Sequence, residues 1–428
     1  MRCFIGFGSN LGNPRDNLEI AAGILSKNQK TSSFRISPIY QTPALTPQDA
    51  PLEWDIPYLN AVAEIDWSGS AQELLQFLKS VEVQIGRVPG ARWAPRVLDL
   101  DLLTFGSEVI HEPDLQVPHS EILHRSFVLD PLKDLAPHFV LPGDREKIIH
   151  RARHLSSHSP LLMAIVNVTP DSFSDGGQFD QIIEFEDRIK ELDQLMAPII
   201  DIGAESTRPH AEFIDARREW QRLKPALEIT RNYSHGKATR PLISVDTRKA
   251  EVAEKALEMG ADWINDVSGL ADPKMIDVLK NSRCNFVIMH SLTVPADSQV
   301  TLPNDCDPIK EVRNWLEQKL DLIDRHGIPI EKVIFDPGLG FGKTPDQCVR
   351  LLRRMNEFTD LPVRTLVGHS RKSWMKKIRS QPLKSVNDRD IASLAASMNL
   401  IHQGVDILRV HDIESHQIAL QTHQEINS

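Results

Sequence analysis

The apolar positions of this chain change rhythm once, near residue 160. Before it, stretches that alternate apolar and polar residues are interleaved with amphipathic stretches of helical period. Arg2 to Phe7, Ser32 to Tyr40, Tyr58 to Ile65 and Val97 to Phe105 read as strands, and Asn13 to Lys27 and Ala71 to Gly86 as helices. Strands in that order, paired antiparallel with helices on one face, predict an α+β ferredoxin-like sandwich rather than a doubly wound sheet. The segment REKIIHRARHLSSHS is charged and histidine-rich. It predicts a linker over residues 144–159, between a domain 1–143 and a domain 160–428.

Beyond Pro160 short apolar runs alternate with amphipathic helical stretches: LLMAIVNV, APIIDIG, PLISVD, DWINDV, FVIMH, KVIFDPG, RTLVG and DILRV. Eight such runs predict a (β/α)8 TIM barrel. Chemistry in that architecture sits at the C-terminal strand ends, where Asn167, Asp201, Asp246, Asn265, His290, Asp336 and Arg409 fall.

Length agrees with two domains, since 428 residues exceed one ordinary core. No run approaches the ~18 apolar residues of a membrane span, so no membrane partner is expected. A net charge of -10 argues against nucleic acid, whose non-specific binding depends on clustered Lys and Arg. The start, MRCFIGFGSN, lacks the features of a signal peptide, and Cys3, Cys284, Cys306 and Cys348 never fall at CxxC spacing. A reduced, cytoplasmic protein is expected. Basic stretches at Arg87 to Arg96 and Arg371 to Lys377 lie beside glycines or strand ends and suit phosphate.

In VLDLDLLTF the spacing sends Asp99 and Asp101 to one face of a strand, with Leu98, Leu100 and Leu102 on the other. Paired carboxylates need a counter-charge, and Mg2+ shared with nucleotide phosphates supplies one. Arg87, Arg92 and Arg96 precede them in a Gly- and Pro-containing loop suited to clamping phosphates. Together these are the parts of phosphoryl transfer.

With FGSNLGN, YQTPAL, YLNA, RWAPRVLDLDLLTFG and VPH, the first domain resembles the hydroxymethyl-dihydropterin pyrophosphokinases. The resemblance implies ATP as co-substrate and Asp99 and Asp101 as magnesium ligands. It implies a pterin site from Thr42, Pro43, Leu45, Tyr58, Asn60 and Phe127. Arg87, Arg92, Trp93, Arg96, His119 and Arg125 match positions that touch phosphate or close over the substrates. An aromatic pair and an amide suit a flat ring with a hydrogen-bonding edge. Pro89, Gly90, Asp114 and Gln116 depart from the family pattern.

The second domain carries MAIVNVTPDSFSDGG, DIGAESTRP, SVDT, INDV, IFDPGLGFGK, LVGHSRK and RVHD, and so resembles the dihydropteroate synthases. That family joins dihydropterin pyrophosphate to p-aminobenzoate. The resemblance implies a pterin site from Asp246, Asn265, Met289, Asp336 and Lys372, and a pyrophosphate and magnesium site from Asn167, Arg409 and His411. It implies a p-aminobenzoate site from Thr207, Arg208, Phe341 and Ser370. The pyrophosphate residues are expected apart from the acidic residues facing the pterin. His210 and His369 depart from the pattern. A pterin-binding barrel of the corrinoid methyltransferase kind would share the acidic residues but leaves GFGK, SRK and ESTRP unexplained. The expected partners are hydroxymethyl-dihydropterin, ATP and p-aminobenzoate, and a homodimer through the barrel is the assembly to look for.

Overall fold

Alternation in RCFIGFGS produces β1 (Arg2–Ser9), the centre of the first sheet. It pairs antiparallel with β4 (Tyr58–Trp67) on one side and β5 (Asp99–Phe105) on the other. β2 (Thr31–Ile36) and β3 (Tyr40–Thr42) both pair with β4, and β6 (Ile110–Glu112) and β7 (Leu115–Val117) form a separate ribbon. The expected continuous strand from Ser32 to Tyr40 is therefore two strands. The computed structural model describes every residue except 48, 92, 169–177, 208–212, 379–382, 384 and 428.

Helix α1 (Pro14–Ser26) starts at Asn13, whose side chain accepts from the Asp16 backbone N–H. Helix α2 (Ala71–Gln84) starts in a capping box of Ser70 and Glu73. Both pack on the sheet face that carries Ile5, Phe7 and Leu100. The other face is not bare, as the sequence reading had it. Phe4, Val62 and Leu103 are covered there by α3 (Ser126–Leu135) and α4 (Ile148–Arg153).

That arrangement also corrects the linker. Ile148, Ile149 and Ala152, within the expected linker, are fully buried, each 0% exposed. The following residues are fastened to α3: His158 Nδ1 meets Asp130 Oδ1 at 2.6 Å, and the Ser159 N–H donates to Asp130 Oδ2 at 2.9 Å. The local charge density masked three apolar residues at helical spacing, enough to close a small core.

The chain divides into two compact units, Met1–Ser159 with Gly236–Arg240 and Leu420–Ser428, and Pro160–His235 with Pro241–Ala419. In the second, eight parallel strands close a barrel: β8 (Leu161–Asn167), β9 (Ile199–Gly203), β10 (Leu242–Asp246), β11 (Trp263–Asp266), β12 (Asn285–Met289), β13 (Val333–Asp336), β14 (Arg364–Val367) and β15 (Ile407–Val410). The intervening helices are α5 (Gln178–Gln194), α6 (Ala216–Ser234), α7 (Ala250–Glu258), α8 (Lys274–Lys280), α9 (Pro308–Arg325), α10 (Pro345–Arg353) and α11 (Val386–His402), with α12 (Ile413–Asn427) following β15. Burial on both faces explains why the strands read as continuous apolar runs. Among the described residues, no helix is long and apolar enough to cross a membrane.

Candidate active sites in the two units

The first site occupies the part of the sheet that α3 and α4 leave uncovered. Gly8 lies opposite Asn60 on β4 and Asp99 on β5, and Gly6 lies opposite Val62 and Asp101. A side chain at Gly8 would start only 3.3 Å from Asn60 Oδ1 and 3.6 Å from the Tyr58 ring. Glycine there keeps open a cavity of about 270 Å3. The sequence reading missed both glycines as site residues, although glycine inside a strand is a signal of close approach.

Every residue expected to hold a pterin in this unit lines that cavity: Thr42, Pro43, Leu45, Tyr58, Asn60 and Phe127. Asn60 is fixed by donating from Nδ2 to Thr42 Oγ1 at 2.8 Å. Arg96, Asp99, Asp101, Trp93, His119 and Arg125 line it as well, and the Arg125 guanidinium lies 5.6 Å from the Phe127 ring centre. Arg87 is not in the wall. It bonds Asp99 Oδ1 at 2.7 Å and the buried Glu82 at 2.5 Å. Arg92 lies outside the described residues.

Asp99 is held by two cations, since Arg96 donates to its Oδ2 at 2.7 Å. Among the described residues no such pair is recorded for Asp101, and its carboxyl is raised above the usual range by burial and then by the neighbouring Asp99 charge. Among the described residues, no group of three or more His, Cys, Asp or Glu converges as a metal cage. Magnesium needs none, because one or two carboxylates plus substrate phosphates suffice. An under-compensated Asp101 beside Asp99 fits such an ion.

The second site is the barrel mouth. Asp246, Met289 and Asp336 end their strands, Asn265 stands one residue before the end of β11, and Arg409 one before the end of β15. Gly368 follows β14, and a side chain there would start 3.4 Å from Asp336 Oδ2 and 3.5 Å from Lys372 Nζ. Burial raises the Asp336 carboxyl against the opposing pull of Lys372, and lowers Lys372 against the pull of Asp336. Lys372 Nζ also sits 5.0 Å from the Phe341 ring centre.

Arg409 is not apart from the acidic residues. Its Nε donates to Asp201 Oδ2 at 2.6 Å and its Nη2 to Asp246 Oδ2 at 2.8 Å. Burial pushes Asp246 up to about 7, against Arg409 and with help from Asp201. The expected separation of anion-binding from acidic residues is therefore absent at Arg409. In sequence, 163 positions separate Arg409 from Asp246, so spacing could not show the pairing.

His411 Nδ1 meets Ser370 Oγ at 3.0 Å, joining a residue expected at pyrophosphate to one expected at p-aminobenzoate. Phe341 and Met289 share an apolar cluster with Val267 and Ala296, and the Ala296 N–H donates to the Thr207 carbonyl at 3.3 Å. Asn167 ends β8 with its side chain exposed. Arg208, His210 and the whole of DSFSDGG lie outside the described residues.

One motif residue, Lys343, is absent from the expected site. Lys343 of GFGK is buried, and its ammonium reaches His290 Nδ1 at 2.7 Å, the His290 carbonyl at 3.1 Å and the Phe341 carbonyl at 2.9 Å. Burial brings Lys343 down to about 7 and His290 to about 3. His369, at the departure from the family pattern, is also buried, with Nε2 2.8 Å from Ser397 Oγ.

Comparison with known proteins follows the same division. The family model for 7,8-dihydro-6-hydroxymethylpterin-pyrophosphokinase matches residues 4–137, and that for pterin binding enzymes matches residues 163–411. The chain is 34% identical to the folate synthesis bifunctional protein of Chlamydia caviae, over 97% of this chain and 96% of the relative. Its barrel is similar to two solved dihydropteroate synthases. That of Anaplasma phagocytophilum with bound 6-hydroxymethylpterin-monophosphate is 35% identical, with a TM-score of 0.57, covering 62% of this chain and 99% of that one. That of Xanthomonas albilineans with 4-aminobenzoic acid is 33% identical, with a TM-score of 0.56, covering 64% and 94%.

Two units of these kinds in one chain define a bifunctional pterin transferase. The chain belongs to the family of folate synthesis bifunctional proteins. It carries out two consecutive steps: ATP-dependent pyrophosphorylation of hydroxymethyl-dihydropterin, then condensation of the product with p-aminobenzoate to give dihydropteroate and pyrophosphate.

Proposed function

We propose that the two steps are carried by the side chains gathered in the cavity of the first unit and in the barrel mouth. The observation that carries the reading is that one cavity holds both the flat-ring residues, Tyr58, Asn60 and Phe127, and the paired carboxylates, Asp99 and Asp101. In the first unit the pterin lies against Tyr58 and Phe127, with its edge on Asn60. Its hydroxymethyl oxygen is then presented toward the carboxylates. Arg87, Arg92, Arg96, His119 and Arg125 neutralise ATP phosphates, and Trp93 closes over the substrates. Magnesium held by Asp99 and Asp101 supplies charge neutralisation at the transferring phosphates. The remaining work is positioning, which dominates phosphoryl transfer.

In the barrel, Asp246, Asn265, Met289, Asp336 and Lys372 hold the pterin, and Asn167, Arg409 and His411 the pyrophosphate, with Asn167 also meeting magnesium. The bond between the pterin methylene carbon and the pyrophosphate oxygen breaks with its electron pair going to pyrophosphate. Positive charge then develops on the pterin, where the Asp246 and Asp336 carboxylates favour it. The amine nitrogen of p-aminobenzoate, held by Thr207, Arg208, Phe341 and Ser370, bonds to the methylene carbon and gives up a proton. The four cysteines are free and three of them are buried, which supports a reducing, cytoplasmic setting.

The test supplies purified protein with hydroxymethyl-dihydropterin, ATP, magnesium and p-aminobenzoate, and follows dihydropteroate. Asn60→Ala should weaken use of hydroxymethyl-dihydropterin while leaving synthesis from supplied dihydropterin pyrophosphate unchanged. An unchanged first step in that variant would remove the cavity from the reading.

A further inference from the structure

In sequence Asp201 is one polar residue among several expected at the barrel strand ends. It lies in the middle of β9 and is 0% exposed. Three side chains donate to it: Ser244 Oγ to Oδ1 at 2.6 Å, Asn265 Nδ2 to Oδ2 at 3.0 Å, and Arg409 Nε to Oδ2 at 2.6 Å. Two of the three are assigned above to opposite ends of one substrate. Asn265 takes the pterin and Arg409 the pyrophosphate.

Each bond restricts what its donor can do. The Asn265 amide cannot turn over without setting its oxygen against a carboxylate, so its acceptor stays available to a ligand. Arg409 is anchored through Nε, while its Nη2 holds Asp246 at 2.8 Å. An arginine with two carboxylate partners, one of them the fully buried Asp201, can release the other and remain compensated. With a single partner, release would strand a buried charge, which is strongly unfavourable.

We propose that Asp201 is a positioning residue that couples the two ends of the pterin pyrophosphate substrate. It anchors Arg409 at Nε, so that an arriving pyrophosphate draws Nη2 from Asp246 and frees that carboxylate for the pterin. Coupling of this kind is reciprocal, so a pterin on Asp246 also releases Arg409 for pyrophosphate. The proposal rests on the reading in which Asp246 and Asn265 meet the pterin and Arg409 meets pyrophosphate.

The experiment is a double-inhibition assay on the full chain. Turnover of supplied dihydropterin pyrophosphate with p-aminobenzoate is followed without ATP, so that dihydropteroate reports on the barrel alone. Inorganic pyrophosphate and 6-hydroxymethylpterin are added separately and together. In the parent each inhibitor should tighten the other by at least about fivefold. In Asp201→Asn the factor should fall toward one, because the amide cannot compensate Arg409 once Asp246 is released. A purely structural role would shift the melting temperature and both inhibition constants but leave the factor between them unchanged.

Absence of synergy in the parent, or full synergy in Asp201→Asn, overturns the proposal. Should that variant not fold, Ser244→Ala removes one of the three bonds, and an undiminished factor there overturns it equally. The underlying reading fails separately. Asp246→Asn should lose inhibition by the pterin and Arg409→Gln inhibition by pyrophosphate, and parental inhibition in both would overturn the assignments themselves.

Discussion

The two units solve one electrostatic problem, keeping carboxylates ready for a pterin substrate, in different surroundings. In the first, Asp99 and Asp101 stand at the half-buried edge of a sheet, and the cations on Asp99, Arg87 and Arg96, come from a connecting loop and its flanks. In the barrel, Asp201 and Asp336 are buried, and Arg409, mostly buried, bridges Asp201 and Asp246. Water can reach and compensate charge at the first site, where the Asp99 side chain is partly exposed. At the second every charge needs a fixed partner, because an unpaired charge in a protein interior is costly. Substitutions in the cavity should therefore act mainly on turnover, whereas those in the mouth should act on turnover and stability together.

The largest expected effect is on the first step. Asp99→Ala or Asp101→Ala should lower pyrophosphoryl transfer by ~10²-fold or more, since a charge-neutralising ligand is lost from the transition state. Separate assays of the two half-reactions check this. Transfer at the parental rate in both variants would break the comparison at its first term.

Next is the barrel carboxylate nearest Lys372. Asp336→Asn keeps size and some hydrogen bonding but removes negative charge, and should slow pyrophosphate release by ~10²-fold, including when p-aminobenzoate is absent. Single-turnover pyrophosphate release with and without p-aminobenzoate is the measurement. If parental release depends wholly on p-aminobenzoate, direct displacement replaces stepwise departure.

Phe341→Ala should have a smaller and more selective effect. Burial of an aromatic ring is worth roughly 1.5–3 kcal/mol, about 10- to 100-fold in p-aminobenzoate use. The KM for p-aminobenzoate should rise while the first chemical step stays near the parental rate. Equal loss in both would mean that Phe341 supports the mouth as a whole through the cluster it shares with Met289.

The smallest effect distinguishes the sites by pH. Burial raises Asp246 from 3.8 to about 7 in the folded chain. A raised folded value means that the stability tied to its neutral form is fully present below about pH 4. It is lost as pH rises toward and through about 7. Asp246→Asn cannot ionise, so it should melt a few degrees above the parent at pH 8 and level with it at pH 4, at about 2–4 °C per kcal/mol for a unit of this size. Thermal melts at the two pH values check the sign, and a variant that gains nothing at pH 8 would mean that Arg409 fully compensates the ionised carboxylate.

Much of both folds was legible in sequence for a local reason. Strand and helix periods are written in neighbouring residues, and the eight barrel runs each became a strand. Asp99 and Asp101 came to one face because the pleat repeats every two residues. Where the reading failed, the competing signal was also local. The charges around Ile148, Ile149 and Ala152 resembled solvated chain, yet all three are buried, and Ile148 and Ala152 join the core of Phe4, Val62 and Leu103. Gly6, inside the expected strand Arg2 to Phe7, and Gly8, just after it, both line the cavity.

The sequence by itself determined the alternation of strands and helices in the barrel, the change of rhythm near residue 160, the motifs and hence the chemistry of the two families they resemble. Only the tertiary structure decided how the charges are paired. It joined Arg409 to Asp201 and Asp246, Lys343 to His290, and His411 to Ser370. Periodicity is set by backbone geometry over a few residues. The partner of a buried charge is instead set by which strand ends a closed barrel brings within 3 Å, and that depends on every strand between them.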